Sequence, residues 1–264
     1  MLTVAVQDRD ILKVSLSQER DMNTNRREWL AGLSSLGAGA ILIGCNKTAP
    51  TEPSEGRKDN ADDEPEVTAT EDLMREHGVL RRALLVYQES AMKLRNAANV
   101  PPESLQKTAQ LFRAFGEEYH EKKLEEVYIF PAVKKAGGAA GGYAEVLIAQ
   151  HQRGREITDF IIAATAGPRL AAADIKTFAA ALEDMVRMYE HHAAIEDTVV
   201  FPAWKETLTA GALDEMNEKF EEIEHEQFGE DGFESALKQM AEIEQSLGLS
   251  DLAQFTAAPP PAAK

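Results

Sequence analysis

Apolar residues recur at helical spacing along most of the chain beyond residue 70, and the breaks between runs mark out the helices. From Glu71, the positions Leu73, His77, Leu80, Leu84, Tyr87 and Met92 keep to one broad face. Asn96 to Pro102 interrupts the run, with Val100-Pro-Pro as the stop and Glu103 in the first turn of the next helix. The pattern predicts that second helix from about Pro102 to Lys135, with Leu111, Phe112, Phe115, Tyr119 and Tyr128 inward. Gly137 to Gly142 reads as a turn. A third helix is expected from about Tyr143 to Ala164, closed by Gly167-Pro168, and a fourth from near Ala172 to about Thr207 on Phe178, Leu182, Met185 and Tyr189. Pro131 and Pro202 each follow a phenylalanine inside a helical run, and with no N–H to donate each should kink or end its helix. After Gly211 a fifth helix carries Met216, Phe220, Ile223 and His225 and stops near Gly229, and a shorter one follows from about Phe233 to Leu247.

The second and fourth helices end alike. His120 precedes Glu125, which lies five residues before Phe130-Pro131, and His192 precedes Glu196, five residues before Phe201-Pro202. A further histidine precedes each segment, His77 and His151. The offsets from 77 to 151, 120 to 192 and 130 to 201 are all roughly 70 residues, so one unit occurs twice. Two copies of helix-with-His followed by helix-with-His-and-Glu make an all-α, antiparallel four-helix bundle with a pseudo-symmetric centre. Half of such a bundle cannot bury its apolar faces alone, so one domain is expected over residues 71–208, with a helical extension over 209–250 and an Ala/Pro-rich, disordered tail over 251–264.

His and Glu one turn apart present nitrogen and oxygen ligands to a buried metal. His192 and Glu196 are four residues apart, roughly 40° around a regular helix, whereas His120 and Glu125 are five apart, roughly 140°. Both pairs reach one centre if the second helix carries a single π-turn between His120 and Glu125. Regular α-geometry there would instead favour Glu121 as ligand. His191 should point away from His192. Tyr119 and Tyr189 either line the pocket or simply pack in the core. Zinc is disfavoured, because structural zinc sites use four ligands, mostly cysteine.

Charge and the N-terminal region add two constraints. The formal net charge is −17, and a body so acidic repels phosphate backbones, which argues against nucleic acid as a partner. The single cysteine, Cys45, excludes an intrachain disulfide. Arg26-Arg27 precedes an apolar, Gly/Ala/Ser-rich run from Leu30 to Gly44, too short to span a bilayer. The arginines and the run resemble a bacterial twin-arginine export signal, and Leu42-Ile-Gly-Cys45 resembles a lipobox. Residues 1–45 are thus expected to be an export signal ending at a lipidated Cys45, with Met22 an alternative start. Residues 46–70 are expected to be a disordered linker holding the domain at the periplasmic side of a membrane. Were the signal reading wrong, the protein would be cytoplasmic.

The double His…(His, Glu)-Phe-Pro pattern resembles the hemerythrin family in its broad form, the HHE cation-binding domain, over about residues 70 to 208. The resemblance implies two iron atoms bridged by an oxo or hydroxo group and two carboxylates, with one position open for dioxygen or a related ligand. By motif, His77, His120 with Glu125, His151, and His192 with Glu196 fall on the ligand positions. Oxygen-carrying members place a further histidine one turn after the third-helix ligand, where this chain has Arg155. His225 on the fifth helix either replaces it or is an exposed histidine in an acidic run. The resemblance implies reversible binding of dioxygen or nitric oxide for sensing, scavenging or storage. A di-iron oxidoreductase (peroxidase, oxidase or nitric oxide reductase) is the alternative, and a metal store or structural bundle the third.

Overall fold

The computed structural model describes residues 67–170, 175–229 and 231–261. Arg26-Arg27, the apolar run, Cys45 and the expected linker as far as residue 66 lie outside the described residues. The first rod, α1 (Ala69–Arg95), starts two residues before the apolar period does. Thr68 explains this: its side chain accepts from the Glu71 N–H, and the Glu71 carboxylate accepts from the Thr68 N–H at 3.0 Å, a reciprocal cap.

The second rod is composite: α2 (Pro102–Leu111), a π-helical stretch Phe112–Ile129, and α3 (Phe130–Ala136). The third is α4 (Gly138–Ala164). The fourth repeats the composite pattern, with α5 (Ile175–Ile195), a π-turn Glu196–Val200, and α6 (Phe201–Glu206). Partners along the second and third rods run in opposite directions: Arg113 with Asp159, Glu126 with His151, Lys134 with Glu145. So do those of the first and fourth, Arg95 with Glu183 and His77 with Asp197. The chain is an antiparallel four-helix bundle, and among the described residues no helix is long and apolar enough to cross a membrane.

Three local expectations change. The Gly137–Gly142 stretch is mostly helix, because only Gly137 (φ 79°) and Gly138 (φ 70°) take left-handed backbone and α4 begins at Gly138. Gly141 instead allows close approach, since a Cβ there would lie 2.8 Å from the Val133 carbonyl oxygen of α3. Pro131 and Pro202 do not end their helices but fall at the return from π to α geometry. Met92 is exposed, and Tyr128 is only half-buried, against Phe220.

The extension consists of α7 (Ala210–Phe228), α8 (Gly232–Leu247) and a 3₁₀ turn Leu252–Phe255. It joins the bundle's core: Trp204 of α6 stacks on Phe220 of α7 at 5.7 Å, and Phe228 meets Tyr119 edge-on at 5.3 Å. Arg82 of α1 grips Glu244 of α8 through two bonds of 2.8 and 2.6 Å. Truncating the buried Trp204 to alanine should cost about 3–5 kcal/mol, read as a lower urea midpoint at unchanged slope.

Candidate metal centre

The backbone sets the ligand geometry. Where hydrogen bonds span five residues, positions i and i+5 share a face, and His120 and Glu125 both sit inside the π-helical stretch. The expected single π-turn is present and extended to 18 residues. The Phe130 N–H donates to the Glu125 carbonyl and the Phe201 N–H to the Glu196 carbonyl, each five residues back. The next residue is a proline in both cases. Having no N–H, it lets the register return to four-residue spacing without orphaning a donor.

Four histidines from four rods converge in two pairs. The Nε2 atoms of His77 and His120 are 3.0 Å apart, as are those of His151 and His192. Glu125 directs Oε1 to His120 Nε2 (3.2 Å) and Oε2 to His151 Nε2 (3.3 Å). Glu196 directs Oε1 to His192 Nε2 (3.0 Å) and Oε2 to His77 Nε2 (3.5 Å). Each carboxylate thus splits its oxygens between the two pairs, as a bridging ligand does.

The protons of this cluster sit on its outside. Nδ1 of His77 faces Asp197 (2.7 Å), that of His120 faces Glu76 (2.6 Å), that of His151 faces Glu126 (2.9 Å), and that of His192 faces Gln150 Oε1 (2.9 Å). A carboxylate only accepts, so Nδ1 carries a hydrogen, and it is Nε2 that is left to offer a lone pair inward once a cation displaces any proton there. Among the described residues, the four buried oxygens of the inner pair, Glu125 and Glu196, meet no polar group closer than the histidine Nε2 atoms and make no well-aligned hydrogen bond. Lone pairs and anionic oxygens meeting in a dry interior fit cations between them. The same field acts on protons. Burial pushes His151 down, but Glu121, Glu125 and Glu126 outweigh it and raise it to about 10. Burial pushes Glu125 up, yet His120 and His151 hold it well below the usual carboxylate range. Cation binding here would release protons.

The family model of the hemerythrin HHE cation-binding domain matches residues 68–204, the span of the four rods. The chain belongs to this hemerythrin family. It is also 44% identical over 234 residues to uncharacterized proteins of Mycobacterium bovis and of two Mycobacterium tuberculosis strains, CDC 1551 and H37Rv, covering 87% of this chain and 90% of each relative. No solved structure matches it at a significant level.

Within this hemerythrin-family centre, six of the seven residues singled out as metal ligands come together: His77, His120, Glu125, His151, His192 and Glu196. His225 does not. It is exposed on α7, because Ile223 and Glu224 take the inward face and Glu224 turns to cap the Phe233 N–H at 2.7 Å. His191 is exposed as well. Glu121 is buried but otherwise engaged, accepting from the Tyr189 hydroxyl at 2.7 Å and from Arg155 at 3.1 Å. The place of the missing histidine is therefore filled by an arginine that also holds Glu126 at 2.6 Å.

The four residues holding the Nδ1 atoms were not found by the ligand pattern, yet each is a sequence neighbour of a ligand: Glu76, Glu126, Gln150 and Asp197. A cleft reaches the centre, and besides the histidines and Glu125 it is lined by Leu80, Leu84 and Ala193 and by the polar side chains of Arg81, Glu121 and Tyr189. Gly154 seats the tyrosine, because a Cβ there would lie 1.9 Å from the Tyr189 hydroxyl oxygen. Gly154→Ala should destabilise the protein by about 1–3 kcal/mol through overpacking despite alanine's helix preference. In a Tyr189→Leu background the same change should be neutral or stabilising, a coupling read by a double-mutant cycle of urea unfolding.

Proposed function

We propose that this centre holds two iron ions, each on one histidine pair with Glu125 and Glu196 shared, and that the protein binds dioxygen, nitric oxide or a related small ligand there. The observation that carries the reading is the division of each buried carboxylate between the two histidine pairs. Two divalent ions bring four positive charges, the carboxylates offset two and a hydroxide another, which suits a dry core. Iron accepts such mixed imidazole and carboxylate ligands and supplies reversible small-ligand binding and electron transfer. The chain's own residues exclude bulk water: Leu80 and Leu84 line the cleft, Phe130 packs on His151 and Phe201 on His77, and Phe115 is buried behind Tyr119.

The role would be sensing, scavenging or storage of the ligand at the cell envelope, with the domain tethered by a lipid on Cys45 after twin-arginine export, a route that carries folded, cofactor-loaded proteins. A di-iron oxidoreductase is the second reading. It is favoured by the Tyr189 hydroxyl and Glu121 carboxylate in the cleft lining, which place hydrogen-bonding groups beside an incoming substrate.

Anaerobically purified protein should contain about two irons per chain, since the donor set offers two positions. Replacing a shared carboxylate, Glu125→Ala or Glu196→Ala, should deplete both ions together, whereas His151→Ala should leave roughly one. Metal analysis yielding zinc, or no metal even after iron addition, would remove the proposal. Stopped-flow absorption after adding dioxygen separates the two roles: a persistent ligand band supports binding, and rapid oxidation with peroxide turnover supports the enzyme. Cys45→Ala should abolish incorporation of labelled palmitate and release the protein from the membrane fraction.

A further inference from the structure

Beside the centre lies a second group of buried ionisable side chains that the ligand set does not use. Glu117, on the second rod, is fully buried. Its Oε1 accepts from the Thr158 hydroxyl of α4 at 2.6 Å, and its Oε2 lies 2.8 Å from Arg113 Nε. Arg113 is a quarter exposed and also binds Asp159, which is 74% exposed, so on this side Glu117 is one residue from solvent.

The opposite side faces the centre. Glu121, next to ligand His120, acts electrostatically on Glu117, and both carboxylates act on Tyr189 of α5, whose ring lies 5.4 Å from that of His192. From α1, Tyr87 brings a buried hydroxyl with no hydrogen-bond partner among the described residues, and Glu117 acts on it too. From α4, Arg155 adds a positive charge. Burial dominates this environment and pushes Glu117 up to about 7; the Thr158 bond lowers it, Glu121 raises it, and Arg113 and Arg155 lower it. The group therefore divides between acid and anion near neutral pH.

We infer that Glu117 exchanges one proton with solvent, past Arg113, as negative charge enters or leaves the metal centre. The inference rests on the iron centre proposed above. When an external one-electron donor reduces that centre, the added negative charge raises the proton affinity of the carboxylate. Glu117 then takes one proton from water to form one O–H bond, so the interior's net charge is unchanged; oxidation returns the proton. One unit charge at roughly 10 Å and an effective dielectric of about 20 shifts a carboxyl by about one pH unit. The sign follows: reduction is favoured at low pH and weakens as pH rises through the range where Glu117 ionises.

Two measurements test this, with Glu117→Gln standing for the permanently neutral form. Infrared spectra of metal-free protein should contain a buried carboxylic-acid band that fades with a midpoint near pH 7. The band should be absent in Glu117→Gln, and its midpoint should move upward in Thr158→Val, which removes a bond that favours the anion. In iron-loaded protein, the reduction equilibrium between about pH 5.5 and 8.5 should change about tenfold more in the wild type than in Glu117→Gln, which is 59 mV for one electron. Absence of a titrating acid band, or equal pH dependence in the two proteins, overturns the inference. Failure to take up iron would remove the proposed function and this inference together; iron uptake with equal pH dependence would remove this inference alone.

Discussion

Four buried carboxylate oxygens, facing four imidazole Nε2 atoms in the middle of a helical bundle, are the constraint on which the rest depends. Desolvating an anion costs several kcal/mol even after relaxation, and opposite charge in good geometry is what offsets it. Glu125 and Glu196 are completely buried, so among the described residues it falls to the facing imidazoles, or to a cation held between them, to supply that charge. The outer bonds from Asp197, Glu76, Glu126 and Gln150 orient the rings so that their Nε2 atoms point inward, and orientation of this kind sustains metal affinity.

The bundle bends its backbone rules to satisfy this centre. A five-residue spacing cannot bring His120 and Glu125 to one face of an α-helix, and the second rod is π-helical through both. The extension reaches into the same network. Phe228 of α7 packs on Tyr119, whose hydroxyl donates to Glu76 at 3.0 Å, and Glu76 holds His120. A helix outside the four rods is therefore linked to His120 through two intervening side chains.

Much of this was legible in the chain. The apolar period located every rod, and the doubled His/Glu-Phe-Pro segment located the six side chains that converge in the centre and the need for a π-turn. What was missed has physical causes. Counting nitrogens made His225 a candidate, but only the packing of Phe220, Ile223 and Glu224 reveals which face of α7 turns inward. The glycines after Gly137 look like a loop by composition, whereas close contact with the Val133 carbonyl makes one of them a helix-packing residue. Glu117 gave no signal, because one carboxylate among many acquires its character from burial, which depends on all four rods.

The doubling extends beyond the ligands. Asp197 binds both His77 and Arg81, and Glu126 binds both His151 and Arg155, so each histidine and the arginine four residues later share an acid from the opposite half. Each half supplies a complete histidine pair but only one of the two carboxylates that face both pairs. A single hairpin paired with its own copy about a two-fold axis would assemble the same eight donor atoms, and joining two copies in one chain frees the halves to diverge. They have diverged at the cleft, where the residue after His120 is Glu121 and the residue after His192 is Ala193. A symmetric frame presents identical surroundings to both ends of a molecule lying across its axis. The Glu121–Ala193 difference is where those ends become distinguishable.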